Sequence, residues 1–525
     1  MSLLGDIATL REAGILRPFG PRTTIELGRQ ILREGLRSHL IYTIHGTRDP
    51  NKPALIYEGR VTTWAGFLDR IRRVANHLLA WGVDPGDSVA IMLPNRPEFL
   101  EADAAARRIG ATTAYVNPRA PAAEARSLVG RTRARVLVTH RDDVQVNART
   151  LFVPKYYEGA IAAAPDSEPR HARGPEGKVV IFTSGTTGRP KGAVRALDGA
   201  SPSLLAGFLR TIPFRTSDVH MVVCPLYHSS GSGFAAIAQM LGNTLVIVER
   251  FSPEAFCRHV QEHKVTTTTV VPTMLHQVTE WPGTRDFDLS SLRVVVCTGS
   301  PLREEVRSAA RELLGDVVYD LYGSTEMGWV SVAAPGDQRR KPGTVGTPVP
   351  GVEVAIVDDE GRRVPVGETG EVWVYSKLGM RGYLDDPQLD RQRMREGWIS
   401  VRDVGYLDDD GYLHVVDRAD DMIISGGVNV YPAEVEVALG SHPNVDDCAV
   451  VGVPDPKWGQ RIVAAVVPKG EAMADDLLAQ DLVGWCKEHA SYAAVPKEVR
   501  FFEELPRNDI GKIDKRRLTE EWGTS

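Results

Sequence analysis

Ile181-Phe182-Thr183-Ser184-Gly185-Thr186-Thr187-Gly188-Arg189-Pro190-Lys191-Gly192 is the stretch from which the rest of this chain is best read. The apolar, largely β-branched run Val179 to Phe182 predicts a strand. It opens directly into hydroxyls, three glycines and one lysine. Glycine tolerates positive φ and lets backbone N–H groups approach a ligand with no Cβ in the way. Consecutive N–H groups on such a loop form a concave anion site, which hydroxyls and an ammonium group complete. The residue types suit a polyphosphate. The order is not that of the Walker A loop, which needs Gly-Lys-Ser/Thr: Pro190 precedes Lys191 and Gly192 follows it. On composition alone an ordinary surface turn is the competing reading.

At 525 residues the chain exceeds what one core accommodates, so two or more domains are expected. Hydrophobic residues at 42% and charged residues at 25% are those of a soluble globular protein. The formal charge of -6 offers no basic excess for nucleic acid. Five scattered cysteines (Cys224, Cys257, Cys297, Cys448, Cys486) read as buried free thiols in a reducing compartment. No CxxC or HExxH spacing calls for zinc. No signal-peptide pattern and no apolar run of membrane-spanning length are found, so a cytoplasmic protein is expected. Residues 23–40 predict a basic amphipathic helix, with Arg29, Arg33 and Arg37 at every fourth position and Ile25, Leu32 and Leu36 elsewhere on it. It suits a solvated helix packed on the domain, or contact with an anionic membrane surface.

Strands and helices alternate along the first two-thirds of the chain. Phe67, Ile71, Val74, Leu78 and Trp81 recur at helical spacing, predicting a helix over 63–81 capped by Thr62 or Thr63. Buried strands are predicted at Val89–Leu93, Met221–Cys224, Thr244–Val248, Thr268–Val271 and Val294–Cys297. This pattern argues for α/β architecture with largely parallel sheets. From about residue 345, short strands and Gly/Asp turns predict a β-rich subdomain: Val352–Val357, Glu371–Tyr375, Gly405–Leu407 and Tyr412–Val415. Beyond Arg418 a compact α+β segment follows, with Leu478, Leu482 and Cys486 on one helix face. The crowded charges at Asp417–Asp421 mark the boundary, dividing the chain into 1–418 and 419–525.

Three further blocks carry chemistry. In Asp320-Leu321-Tyr322-Gly323-Ser324-Thr325-Glu326 the ring could stack on a purine, Thr325 could bond a phosphate and Glu326 could hold Mg²⁺. In the block from Gly397-Trp398 to Asp403, Gly405-Tyr406 and Asp417-Arg418, a carboxylate fits the two hydroxyls of a ribose. Pro506-Arg507-Asn508-Asp509-Ile510-Gly511-Lys512-Ile513 sets a lysine on a glycine-containing loop of the terminal segment. Each block alone also fits a surface turn, a surface ion pair or an exposed lysine.

In order and spacing the four blocks resemble the adenylate-forming superfamily: acyl-CoA synthetases, peptide-synthetase adenylation domains and beetle luciferases. The resemblance runs from about residue 45 to 520. It includes Pro225-Leu226-Tyr227-His228, Thr298-Gly299-Ser300-Pro301-Leu302, Gly367-Glu368-Thr369-Gly370-Glu371 and Ser425-Gly426-Gly427-Val428-Asn429-Val430-Tyr431-Pro432. The last looks most like the loop of fatty-acid and related acyl-CoA ligases. The fold this resemblance implies is α/β: a large N-terminal domain of stacked α/β sheets with a β-rich subdomain, and a small mobile α+β C-terminal domain.

The resemblance implies an ATP-dependent, AMP-forming ligase that uses Mg²⁺ and takes coenzyme A as co-substrate. It assigns Ser184, Gly185, Thr186, Thr187, Gly188 and Lys191 to the phosphate loop, and Gly299, Ser300, Asp320, Tyr322 and Gly323 to the adenine pocket. Thr325 would meet the α-phosphate, Glu326 the metal, and Asp403 and Arg418 the ribose. Asp420 occupies the hinge position, Gly426 and Gly427 approach the pantetheine arm, and Lys512 is the mobile lysine of adenylation. His228 matches the aromatic–histidine pair bordering the acyl tunnel; on residue type alone a satisfied, partly buried histidine is the commoner reading. Arg402 stands where the family has the glycine of Thr-Gly-Asp, a replacement bearing on backbone geometry and nucleotide affinity. Gln460 replaces a common glutamate, and Val428 occupies a variable position.

Gly231-Ser232-Gly233-Phe234-Ala235-Ala236 matches a dinucleotide fingerprint in form, but it follows a loop and no acidic partner is placed for a ribose. The acid pocket is expected near Tyr227–Phe234, Gly299 and Tyr322–Trp329, with Gly231 and Gly233 leaving room. Few charges fall there, which favours an apolar acid: a medium or long fatty acid, or a bulky alicyclic, sterol-type acid, with aryl acids open. Two other readings stand beside this one: an adenylation enzyme that loads a carrier protein, and a catalytically weak nucleotide-binding homologue. A dimer is compatible with all of them.

Overall fold

The computed structural model describes residues 3–169, 176–183, 190–196, 201–425, 428–470, 472–490, 494–508 and 511–523. Two large sheets carry the N-terminal part. One has nine strands, with Val219–Val222, Thr244–Ile247, Thr267–Val270, Val294–Thr298 and Val318–Ser324 among its parallel members. The other has seven, centred on Ser88–Met92, Thr112–Tyr115, Ala134–Thr139 and Val179–Thr183. Their strands are short, rich in Val, Ile and Thr, and buried along most of their length, as parallel strands covered on both faces must be. Each predicted strand is present, its ends displaced by at most three residues.

Helices wedge between the two sheets. Leu55 and Leu245 of the first sheet share one apolar cluster with Val89 and Val136 of the second, through Phe67, Ile71, Leu78 and Phe99. The helix carrying three of those side chains is Trp64–Ala80; the hydroxyl of Thr63 caps it by accepting from the Gly66 N–H at 3.2 Å. The helix expected over 23–40 is shorter. It runs Pro21–Glu34 and stops at Gly35, whose φ of +76° is a conformation glycine adopts without penalty. A separate helix, Leu40–Arg48, follows.

The β-rich part is a six-stranded sheet built on Val352–Val357, Gly370–Ser376, Asp403–Leu407 and Leu413–Arg418. The C-terminal part folds around the long hairpin Val445–Asp455 and Gly459–Pro468, against helices Pro432–Gly440 and Asp476–His489. Hydrogen bonds tie it to the body. The Ala433 N–H donates to Asp417 at 2.8 Å, and Arg303 donates to the Asp446 carbonyl at 2.8 Å.

Candidate active site

The antiparallel hairpin Val179–Thr183 and Lys191–Arg195 pairs Thr183 directly with Lys191. The phosphate-loop stretch therefore leaves and re-enters the sheet at one point. Ser184, Gly185, Thr186, Thr187 and Gly188 lie outside the described residues, as do Gly426 and Gly427. The Thr183 hydroxyl reaches Glu326 Oε1 at 3.3 Å, and the Tyr383 hydroxyl reaches the same oxygen at 3.4 Å. Both leave the second carboxylate oxygen of Glu326 free of these bonds. One carboxylate with neutral oxygens around it fits Mg²⁺, a hard cation that keeps most of its shell for water and phosphate.

Thr325 follows the strand Val318–Ser324, which brings Asp320, Tyr322 and Gly323 to the same crevice. Its hydroxyl lies 2.9 Å from Ser229 Oγ, and its carbonyl accepts from Arg195 at 2.5 Å. Asp320 is clamped by Arg307 at 2.9 Å; burial nonetheless pushes its carboxyl above the ordinary aspartate range. Gly323 is forced, since a Cβ there would sit 2.3 Å from the Gly328 carbonyl oxygen.

Asp403 and Arg418 face one another across the antiparallel pair Asp403–Leu407 and Leu413–Arg418. The Tyr322 hydroxyl donates to Asp403 at 2.6 Å, and Arg418 lies 3.4 Å from the other oxygen. Burial raises the Asp403 pKa against the pull of Arg418. Arg402 takes φ +69°, the conformation glycine would supply, and its guanidinium pairs with Glu371 at 2.9 Å and Asp420 at 3.5 Å. Arg393 holds Asp420 from the other side at 3.3 Å.

Lys512 enters from the C-terminal part. Its Cε would lie 3.9 Å from a Cβ placed on Gly299, which itself has φ +101°. Burial and then the charge of Arg418 lower its pKa, while Asp403 and Glu326 oppose that shift. Lys191 is likewise lowered by burial, with Glu326 and Asp420 among its charged neighbours. His228 packs its ring 4.4 Å from that of Tyr227. Burial and the charge of Lys512 pull it down to about 3, so it is neutral at physiological pH, and its Nε2 has no hydrogen-bond partner among the described residues.

The cleft that holds this polar cluster also has an apolar lining of Leu204, Leu205, Gly233, Phe234, Ile237 and Trp329. Phe208 stacks on Trp329 with centroids 4.3 Å apart. The space expected at two glycines exists at one. A Cβ on Gly233 meets nothing within 4 Å, whereas on Gly231 it would lie 2.2 Å from the Pro225 carbonyl oxygen. Gly231 is there to let helix Ser229–Leu241 approach the preceding turn. Four residues that shape the site carried no signal of their own in the sequence: Arg195, Ser229, Arg307 and Tyr383. They are polar groups on ordinary strands and helices, and only proximity gives them work.

A cation, a carboxylate and hydroxyls converge at strand ends, where open α/β sheets hold nucleotides. Residues 43–384 match the AMP-binding enzyme family, and residues 434–512 match the AMP-binding enzyme C-terminal domain. The chain is 35% identical over 488 residues to a feruloyl-CoA synthase of Amycolatopsis sp, spanning 90% of this chain and 96% of that one. It is 31% identical over 501 residues to the fatty acid–[acyl-carrier-protein] ligase ScoC of Streptomyces coeruleorubidus, spanning 92% and 96%. Its fold matches the o-succinylbenzoate coenzyme A synthetase of Bacillus subtilis, solved with ATP and magnesium ion, with a TM-score of 0.81 at 28% identity over 91% and 98% of the two chains. The chain belongs to the AMP-binding, adenylate-forming enzymes, as an acid–thiol ligase.

Proposed function

We propose that this enzyme activates an apolar carboxylic acid as its acyl-adenylate and transfers the acyl group to coenzyme A. The observation that carries the reading is the convergence of Lys512, Asp403, Glu326 and Arg418, four charged groups from four separate chain segments, around one point. In the first half-reaction a carboxylate oxygen bonds to the α-phosphorus of ATP and the bond to the β-phosphate bridge breaks, releasing pyrophosphate. Asp403 and Arg418 hold the ribose, and the Thr325 hydroxyl turns to the α-phosphate. Lys512 places its ammonium where negative charge grows on the phosphorus oxygens, a role that gains strength from its burial. Mg²⁺ held at Glu326 would neutralise phosphate oxygens during that step. In the second half-reaction the thiol sulfur bonds to the acyl carbon, the bond from that carbon to the AMP oxygen breaks, and the thiol proton leaves to solvent. Lys512 fills the space the thiol needs, so the segment bearing it must withdraw; Arg418 to Asp421, with Asp420 between Arg393 and Arg402, is the proposed pivot.

The acid is proposed to be a medium or long fatty chain or a bulky alicyclic or aryl body, matching the aromatic walls and the open side of Gly233. Pyrophosphate exchange across a graded panel of such acids tests it; exchange only with short polar acids would overturn it. Likeness to ScoC favours a second acceptor, an acyl carrier protein, and comparison of transfer to coenzyme A and to purified carrier decides between them. Lys512→Ala should slow adenylation by about two to three orders of magnitude, the usual scale for losing one transition-state donor. Thiolysis of a supplied acyl-adenylate should change far less. Equal losses in both would remove Lys512 from its role.

A further inference from the structure

Helix Pro21–Glu34 is packed inside out. Its buried face carries Thr23, Leu27 and Gln30. That face is held by polar bonds: Thr43 to Gln30 at 2.9 Å, Thr47 to Thr23 at 3.0 Å, and the Glu34 carboxylate to His39 at 3.0 Å. Apart from Leu27, its apolar side chains point to solvent, with Ile25 53% exposed, Leu32 89% and, just past its end, Leu36 83%. Positions 25 and 32 fall on one stripe at helical spacing, and Leu36 follows the break at Gly35. Exposed Arg22, Arg29 and Arg33 run along one edge of that stripe. Of seventeen exposed large apolar side chains among the described residues, eight lie between Leu4 and Leu36. A globular helix placed to optimise its own burial would turn the other way.

We infer that this face docks on an anionic lipid bilayer, the arginines meeting headgroups and Ile25, Leu32 and Leu36 entering the acyl boundary. Basic side chains flanking an apolar stripe are what an interfacial helix requires. A second copy fits less well, because a two-fold interface sets the same patch against itself and would oppose arginine to arginine. The nearby carboxylate of Glu26 is already taken by Arg29 at 3.5 Å, and that of Glu34 is buried. Leu36 also belongs to the lining of the large cleft that contains Phe234 and Trp329. Delivery of an apolar acid from the bilayer would rest on the proposed reading of the pocket; docking itself does not.

The test is co-sedimentation of the full chain with vesicles of phosphatidylcholine alone and of phosphatidylcholine with about one-quarter phosphatidylglycerol. Binding is expected to the anionic vesicles and to weaken as salt is raised. Ile25→Ser with Leu32→Ser should lower partitioning at least about tenfold. Arg29→Gln and Arg33→Gln should each cost roughly fivefold. Unchanged melting and unchanged pyrophosphate exchange with a short soluble acid would show that the variants are folded and competent. No binding of the unaltered chain, equal binding by the variants, or a dimer that dissociates on Ile25→Ser with Leu32→Ser would overturn the proposal; the last would make the face a self-association surface.

Discussion

Arg402 sits in a backbone conformation that an L side chain enters at a cost of about 1–2 kcal/mol. Its pairs with Glu371 and Asp420 are half-exposed and offset only part of that cost, up to about 1 kcal/mol. Asp403 next to it is oriented by other groups, the Tyr322 hydroxyl and the Arg418 guanidinium. Glycine would relieve that cost but add about 0.4–1 kcal/mol of unfolded-chain entropy, so Arg402→Gly should leave the melting temperature nearly unchanged and alter the Kd for ATP by less than about threefold. Isothermal titration would check it, and a tenfold weakening would mean that the arginine itself holds the nucleotide. The residue type at this position was legible as a departure from the family pattern. That the backbone would keep the glycine conformation regardless was not, because φ is set by the bend leading into strand Asp403–Leu407, where the Arg402 N–H donates to Ser400 Oγ and its carbonyl accepts from the Ala419 N–H.

Helix Ser229–Leu241 shows how one element serves packing and substrate through two residues two positions apart. Gly231 faces the Pro225 carbonyl and Gly233 faces open space in the cavity. Gly231→Ala should destabilise the protein by about 1–3 kcal/mol, the scale of an overpacked contact against backbone. Gly233→Ala should leave stability within about 0.5 kcal/mol and raise the KM for the bulkiest acids in the panel while sparing slender ones. Chemical denaturation and steady-state kinetics separate the two. A destabilised Gly233→Ala with unaltered acid preference would show that the cavity does not receive the acyl group there. Helix periodicity made the element legible; which of its glycines looks inward depends on the turn Pro225–His228, which periodicity does not reach.

Across the whole molecule the buried histidines tie stability to pH. Burial pulls His220 down to about 3 and His45 to about 4. Above the ordinary value of 6.5 the imidazole of His220 is neutral both folded and unfolded, and its contribution is fully present. Below it the unfolded chain binds a proton that the folded one refuses, so stability falls by about 1.4 kcal/mol per pH unit for that group until the folded value is reached. Buried Glu101, Asp320 and Asp403, whose pKa values burial raises, act in the opposite direction at lower pH. The difference between His220→Asn and the unaltered protein isolates one histidine: denaturation between pH 7.5 and roughly 4.5 should show the variant gaining on the parent as pH falls. A constant gap would mean that His220 titrates alike in both states.

Local chemistry, written in the order of the chain, was enough to specify the alternating strands and helices, the glycine-rich loop after Val179–Thr183, and the residue types a nucleotide needs. Periodicity and turn-forming residues act over a few positions, so they survive without knowledge of the fold. Lys512 reaching Gly299, Thr183 and Tyr383 sharing one oxygen of Glu326, and Arg307 clamping Asp320 are contacts between distant segments. The outward turn of Ile25 and Leu32 belongs with them. An amphipathic pattern states that a helix has two faces; which face meets the protein is settled by the partners folding brings, here Thr43, Thr47 and His39.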